Sequence, residues 1–188
     1  SGEQTAAFQM CRRSYWKARQ VRPCAEAGED ICQKDIRMNI GVYVRLAHHS
    51  ETQLAEAFLQ VSDHHRDEPD VEETCRLLSS WSKEKSNGIR PFIATYGEPR
   101  VNEPETLFSD LFQGPRTGGL ALLRDLHDLW LLATEAMISW TVLLQASRAL
   151  RDEDLEHLCT RHITQTDRQL AWLQTRTKQA APQALVVA

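Results

Sequence analysis

The sequence predicts an all-α protein: a four-helix bundle with a long crossover between the second and third helices and an appended N-terminal arm. Three observations carry this. Apolar residues recur at three- and four-residue intervals through four long segments, the pattern of one buried helical face. No stretch alternates apolar and polar residues as a half-buried strand does. Gly97, Pro99, Pro104, Gly114 and Pro115 gather between the second and third segments, where they mark a long connection.

The chain has 188 residues, 41% hydrophobic and 26% charged, enough for one domain with a sizeable core and too apolar for general disorder. A net charge of −4 speaks against a nucleic-acid binder, whose domains are strongly basic. No apolar run approaches the ~18 residues of a membrane span, so no membrane role is expected. Ser1-Gly2 reads as the remnant of a removed tag and is set aside. The odd set Cys11, Cys24, Cys32, Cys75 and Cys159, with no secretory pattern ahead of it, predicts reduced thiols in a cytosolic protein.

Residues 1–37 form the arm, where Pro23, Gly28 and weak periodicity leave room for one short helix near Thr5–Gln20. The bundle occupies 38–188. From Asn39, a candidate N-cap, the residues Tyr43, Leu46, Ala47, Leu54, Ala57, Phe58 and Val61 share one stripe. The helix is expected to stop near Arg66, because Glu68-Pro69 follows and the residue before proline is pushed out of the helical region. Asp67 or Asp70 is placed to cap a second helix whose face holds Thr74, Leu77, Leu78, Trp81 and Gly88; Asn87-Gly88 and Pro91 weaken it. The connection is short, so these two helices are antiparallel neighbours.

Within residues 92–118 a short helix is expected over 104–112, with Pro104 in its first turn. A crossover of this length lets the second and third helices run parallel. The third helix, Gly119 to Leu150, carries the stripe Leu122, Leu126, Leu129, Trp130, Ala133, Met137, Trp140 and Leu144. Leu131, Leu132, Ile138, Val142 and Leu143 lie opposite. A helix apolar on nearly every face belongs at the centre of a bundle or between the bundle and a second subunit. Asp152 caps a final helix over 153–178 that turns Leu155, Leu158, Cys159, His162, Thr166, Leu170 and Leu173 inward before Pro182.

Chemistry-bearing residues fall on these stripes. Asp128 and Glu135 are two turns apart on an apolar side of the third helix. A buried carboxylate costs several kcal/mol without a partner, so Glu135 is expected to meet a cation, a metal or a hydrogen-bond cluster. His162 lies in the inward stripe of the last helix. On the first helix His48 and Glu51 sit on adjacent turns, a ligand-compatible spacing, and His65 falls within the stripe near the helix end. The order His64/His65, His127-Asp128, Asp167 superficially matches helical metal-dependent phosphohydrolases, although His127 and Asp128 point to different faces.

Four long helices, one long crossover and inward acids and histidines resemble the ferritin-like bundles that hold two metal ions in their core. The resemblance covers 39–178 and implies Glu51 and Glu135 as single-glutamate ligands and His162 as the histidine of the last helix, with His48 or His65 as further candidates. Cys159 stands where that pattern has the glutamate of the last helix, and the second helix has no Glu-x-x-His. The expectation is therefore a cytosolic bundle that acts by binding, as a homodimer or through a protein partner, with a reduced or absent metal site. The alternative is a non-haem iron, manganese or zinc redox protein.

Overall fold

The computed structural model describes residues 29–97, 111–112 and 120–186. The described residues form four helices and no strand: α1 (Glu29–His64), α2 (Pro69–Tyr96), α3 (Leu120–Leu150) and α4 (Glu153–Val186). The chain divides at Lys34/Asp35, and the bundle is the second unit, Asp35–Ala188. Of the first unit only the opening of α1, 29–34, is described. The expected helix near Thr5–Gln20, Cys11, Cys24, Cys32 and most of the crossover lie outside the described residues.

Each helix buries a stripe at alternating spacings of four and three. In α1 it is Ile40, Val44, Ala47, Glu51, Leu54, Phe58 and Val61, continued by His65 in the turn after the helix. In α2 it is Val71, Cys75, Leu78, Ser82, Lys85 and Ile89. In α3 it is Leu122, Leu126, Leu129, Ala133, Ala136, Trp140, Leu143 and Ser147. In α4 it is Leu155, Cys159, His162, Thr166, Gln169 and Leu173. This repeat keeps one seam of a helix facing its neighbours along the whole bundle.

Side-chain contacts fix the directions. Ser79 Oγ donates to Ala55 O (2.8 Å) and Thr52 Oγ1 meets Ser86 Oγ (2.9 Å), so α1 and α2 are antiparallel. His65 meets Asp125 near one end of α3, and Glu51 meets Trp140 nearer the other, which makes α3 antiparallel to α1. Lys85 meets Thr166, and Glu68 pairs with Arg176, so α4 runs against α2. The helices therefore run up, down, down, up, with α2 and α3 parallel as expected.

The core is not continuous. One apolar cluster gathers Leu54, Phe58, Val61, Val71, Leu78, Leu126, Leu129 and Leu173. The other holds Ile40, Val44, Ile89, Trp140, Leu143 and Leu155. A belt of buried polar side chains lies between them: Glu51, Ser82, Lys85, Ser139, His162, Thr166 and Gln169.

Several boundaries differ from expectation. Asn39 is no N-cap; it lies inside α1, which begins at Glu29. The position before α2 is Glu68, whose side chain makes no cap. Its carboxylate goes to Arg176 of α4 instead, and Asp70 Oδ2 lies 3.5 Å from the same guanidinium. Pro91 and Pro182 are accommodated inside α2 and α4. Asp152 does cap α4, accepting from Leu155 N at 3.0 Å while also accepting from the Tyr96 hydroxyl. The turn before it holds Arg151 at φ 57°, with Asp152 N bonding back to Ser147 O, the left-handed stop of a helix C-terminus. Contrary to expectation, one segment does reach membrane-span length: among the described residues, α3 is apolar and long enough. Its inner stripe, however, packs into both core clusters.

Candidate functional site

The polar belt is built around the Lys85 ammonium. Lys85 Nζ lies 2.8 Å from Glu51 Oε1, 2.8 Å from Thr166 Oγ1 and 2.8 Å from Gln169 Oε1. Each partner is an acceptor already committed. The Thr166 hydroxyl donates to His162 O at 2.9 Å. The Gln169 amide is oriented by its nitrogen, which donates to Leu78 O and Ser82 Oγ. Glu51 Oε1 also accepts from Trp140 Nε1 at 2.7 Å. Three acceptors call for three N–H donors, and only the charged ammonium supplies them. Burial pulls Lys85 below the ordinary lysine pKa, and Glu51 pushes it back up. The network joins all four helices: Glu51 from α1, Lys85 and Ser82 from α2, Trp140 from α3, Thr166 and Gln169 from α4.

His162 adjoins this network. Its ring lies 4.7 Å from that of Trp140 at 60°. Nδ1 lies 3.3 Å from the Gln165 side-chain oxygen, so the proton sits on Nδ1 and the Nε2 lone pair is left over. Among the described residues, His162 Nε2 and Glu51 Oε2 are buried atoms with no hydrogen-bond partner. A Cβ on Gly88 would stand 3.3 Å from Nε2, so glycine lets α2 pass close over the imidazole. Burial chiefly, with Arg161 and Lys85 adding to it and Gln165 opposing, holds the His162 pKa down to about 4. It is a neutral core histidine at pH 7.

The five residues singled out from sequence do not form one cluster. Glu51 and His162 come to the belt. Glu135 does not: it is only half-buried, and Ser50 Oγ donates to it at 3.4 Å. The expectation that Glu135 is the buried acid of α3 is therefore corrected. That acid is Asp125, a quarter-turn onto the inner face, which bonds His65 Nε2 at 2.9 Å, with His64 Nδ1 at 3.7 Å. His65 is thus held near the start of α3, far along α1 from Glu51. His48 lies at the edge of the α1–α2 groove, where Arg90 Nε donates to it at 3.4 Å; burial, then Arg90 and His49, lower its pKa. Asp128 accepts from Phe112 N at 2.8 Å, while His127 and Asp167 are exposed, so the phosphohydrolase order is not assembled in space. Cys75 and Cys159 are buried free thiols pushed up to about 12, mainly by burial, and are not poised to react.

Lys85 and Gln169 were missed from sequence. Lys85 reads as part of a solvated run, Lys83-Glu84-Lys85-Ser86, yet it continues the spacing from Val71 through Cys75, Leu78 and Ser82. Gln169 likewise falls between Thr166 and Leu173.

The ferritin-like resemblance implies a metal here, and the residues do not fit one. Among the described residues, no three His, Cys, Asp or Glu side chains gather at metal-binding range. Glu51 already holds a cation of the protein's own. Glu51, Lys85, Trp140, His162, Thr166 and Gln169 are each 0% exposed, so no substrate reaches them without the bundle opening. Comparison with family models, curated proteins and solved structures finds no match to the chain.

Removing one charge leaves the other buried alone, so Lys85→Met is expected to destabilise by about 3–5 kcal/mol in urea denaturation. Adding Glu51→Leu to it should recover most of that loss; equal or greater destabilisation of the double variant would show that the charges do not act as a pair. For His162, the folded pKa of about 4 lies below the unfolded value of 6.5. Its contribution is full above pH 6.5 and is lost as pH falls toward 4, about 3 kcal/mol in all. In His162→Leu that part of the slope should vanish between pH 7 and 4; an unchanged slope would assign the acid sensitivity to other groups.

Proposed function

We propose that this chain is a non-catalytic, cytosolic helical bundle of ferritin-like connectivity that works by association, with a second copy of itself as the partner. The carrying observation is the outward face of α3. Trp130 is 39% exposed, Leu131 41% and Ile138 58%. Between Asp128 and Arg148 the only ionisable side chain is Glu135. Large apolar side chains exposed together along one helix mark an interaction surface more often than chance exposure.

A second copy suits this stripe. In a two-fold interface the same patch meets itself, and the one ionisable side chain on this stretch, Glu135, is half-buried and bonded to Ser50, so few like charges are brought together. The closed belt supports the non-catalytic half of the proposal, since its ionisable groups, Glu51, Lys85 and His162, are each 0% exposed. Up-down-down-up connectivity is the support for the ferritin-like kinship, and a metal-dependent redox role finds less, because the central carboxylate is bound to an ammonium.

Light scattering on size-exclusion fractions tests the association. The wild type should elute as a dimer across a concentration series, and Leu131→Arg with Ile138→Glu should give a monomer whose melting temperature, measured under the same conditions, shows an intact bundle. A wild type that stays monomeric at high concentration would overturn the reading.

A further inference from the structure

We infer that the centre of the bundle is a site for a primary ammonium ion, closed to divalent metal ions, of which the Lys85 side chain is the built-in occupant. This goes beyond the association proposal and does not rest on it.

The cradle has three walls. Glu51 Oε1 comes from α1, and Thr166 Oγ1 and Gln169 Oε1 come from successive turns of α4, all 2.8 Å from Nζ. That is a hydrogen-bond separation. Zinc and magnesium bind oxygen at about 2.0–2.2 Å and calcium at about 2.3–2.6 Å. Binding any of these divalent ions would require the cradle to contract by several tenths of an ångström across a close-packed core, where such shifts are resisted.

Donor chemistry points the same way. The three oxygens are a carboxylate, a hydroxyl and an amide carbonyl, carrying one negative charge between them. A monovalent ammonium balances that charge and spends one N–H on each oxygen; a divalent ion would leave a net positive charge in a site that is 0% exposed. The hydroxyl proton of Thr166 is directed away to His162 O, and the Gln169 nitrogen is held by Leu78 O and Ser82 Oγ. The oxygens are therefore aimed by contacts outside the cradle, and their orientation does not depend on the lysine stem that reaches them.

This separates the charged head from its tether. Lys85→Ala removes three methylenes and the ammonium, a volume and charge matched by the n-propylammonium ion. A ligand that binds the native state alone raises its stability with concentration, and a melting or refolding experiment lets the ion enter while the bundle is open.

The test is thermal melting of Lys85→Ala, refolded in n-propylammonium chloride, tetramethylammonium chloride, potassium chloride, zinc chloride or manganese chloride. The expected result is a midpoint that climbs by several degrees with propylammonium concentration, with tetramethylammonium and potassium giving only the small common effect of salt and the metals giving no rise. If the variant is unfolded in plain buffer, recovery of helical circular dichroism is read over the same series. A rise or recovery with zinc or manganese, or an equal response to tetramethylammonium and propylammonium, would overturn the inference. Elemental analysis of the wild type purified without chelator and then incubated with zinc or manganese should show less than about a tenth of an equivalent of retained metal; stoichiometric retention, reversed by Glu51→Gln, would also overturn it.

Discussion

A lysine and a glutamate meet in the middle of this bundle, both 0% exposed, and the rest of the structure is arranged so that they can. Taking both charges out of water costs several kcal/mol per ion, and their attraction repays this only if the remaining donors and acceptors are also satisfied. Trp140, Thr166, Gln169 and Ser82 satisfy the ammonium, Glu51 Oε1 and the Gln169 amide, and Glu51 Oε2 is the one buried carboxylate oxygen among the described residues left without a hydrogen-bond partner. The two apolar clusters above and below the belt supply the burial that holds the bundle closed. The belt supplies register: slide α1 or α2 by one heptad and Lys85 or Glu51 faces an apolar residue, Val44 or Phe58 on one helix and Leu78 or Phe92 on the other. Apolar seams repeating every seven residues are tolerant of such slips, and a buried polar contact is the usual way to forbid them.

The same arrangement shapes what the protein can do. The Glu51 carboxylate is matched by the Lys85 ammonium, and both are 0% exposed, as is His162, while Glu51 Oε2 and His162 Nε2 stay buried without a hydrogen-bond partner. His162, which sequence reading places among candidate ligands, is kept neutral by its surroundings and packs as a ring against Trp140. The second buried charge group, Asp125 with His65 and His64, ties the end of α1 to the start of α3. These contacts are consistent with a scaffold, and they leave the outward face of α3 as the surface on which the proposed association rests.

Much of the architecture was legible in the sequence, because helix stripes and stop signals are local. The spacing of Leu54, Phe58 and Val61, the apolar run of α3, and Asp152 ahead of Glu153 each translate directly into the observed elements. The belt was legible only in half. Glu51 and His162 stand out as polar residues on apolar stripes, but a lysine among Lys83, Glu84 and Ser86 resembles an exposed turn of helix, and reading stripes by their apolar members passes over it. Glu135 drew attention for the opposite reason: leucines flank it in sequence on a helix apolar all round, so the side facing the core could not be told from the side facing out. Which face points inward is decided by α1 and α4, through Trp140 reaching Glu51 and packing on His162, and that information is not local to α3. The capping of α2 failed similarly, since Glu68 and Asp70 turn to Arg176, a residue more than a hundred positions away.

The most direct measurement of the central claim is nitrogen NMR of lysine side chains labelled with nitrogen-15, with Lys85→Met used to assign the signal. A buried ammonium held by three acceptors should give an Nζ resonance that stays in its charged form through neutral pH, with protons exchanging with water far more slowly than those of Lys83 or Lys178, and it should disappear from the spectrum of the variant. A Lys85 nitrogen that is a neutral amine at pH 7, or whose protons exchange as fast as those of the surface lysines, would contradict the account at its centre.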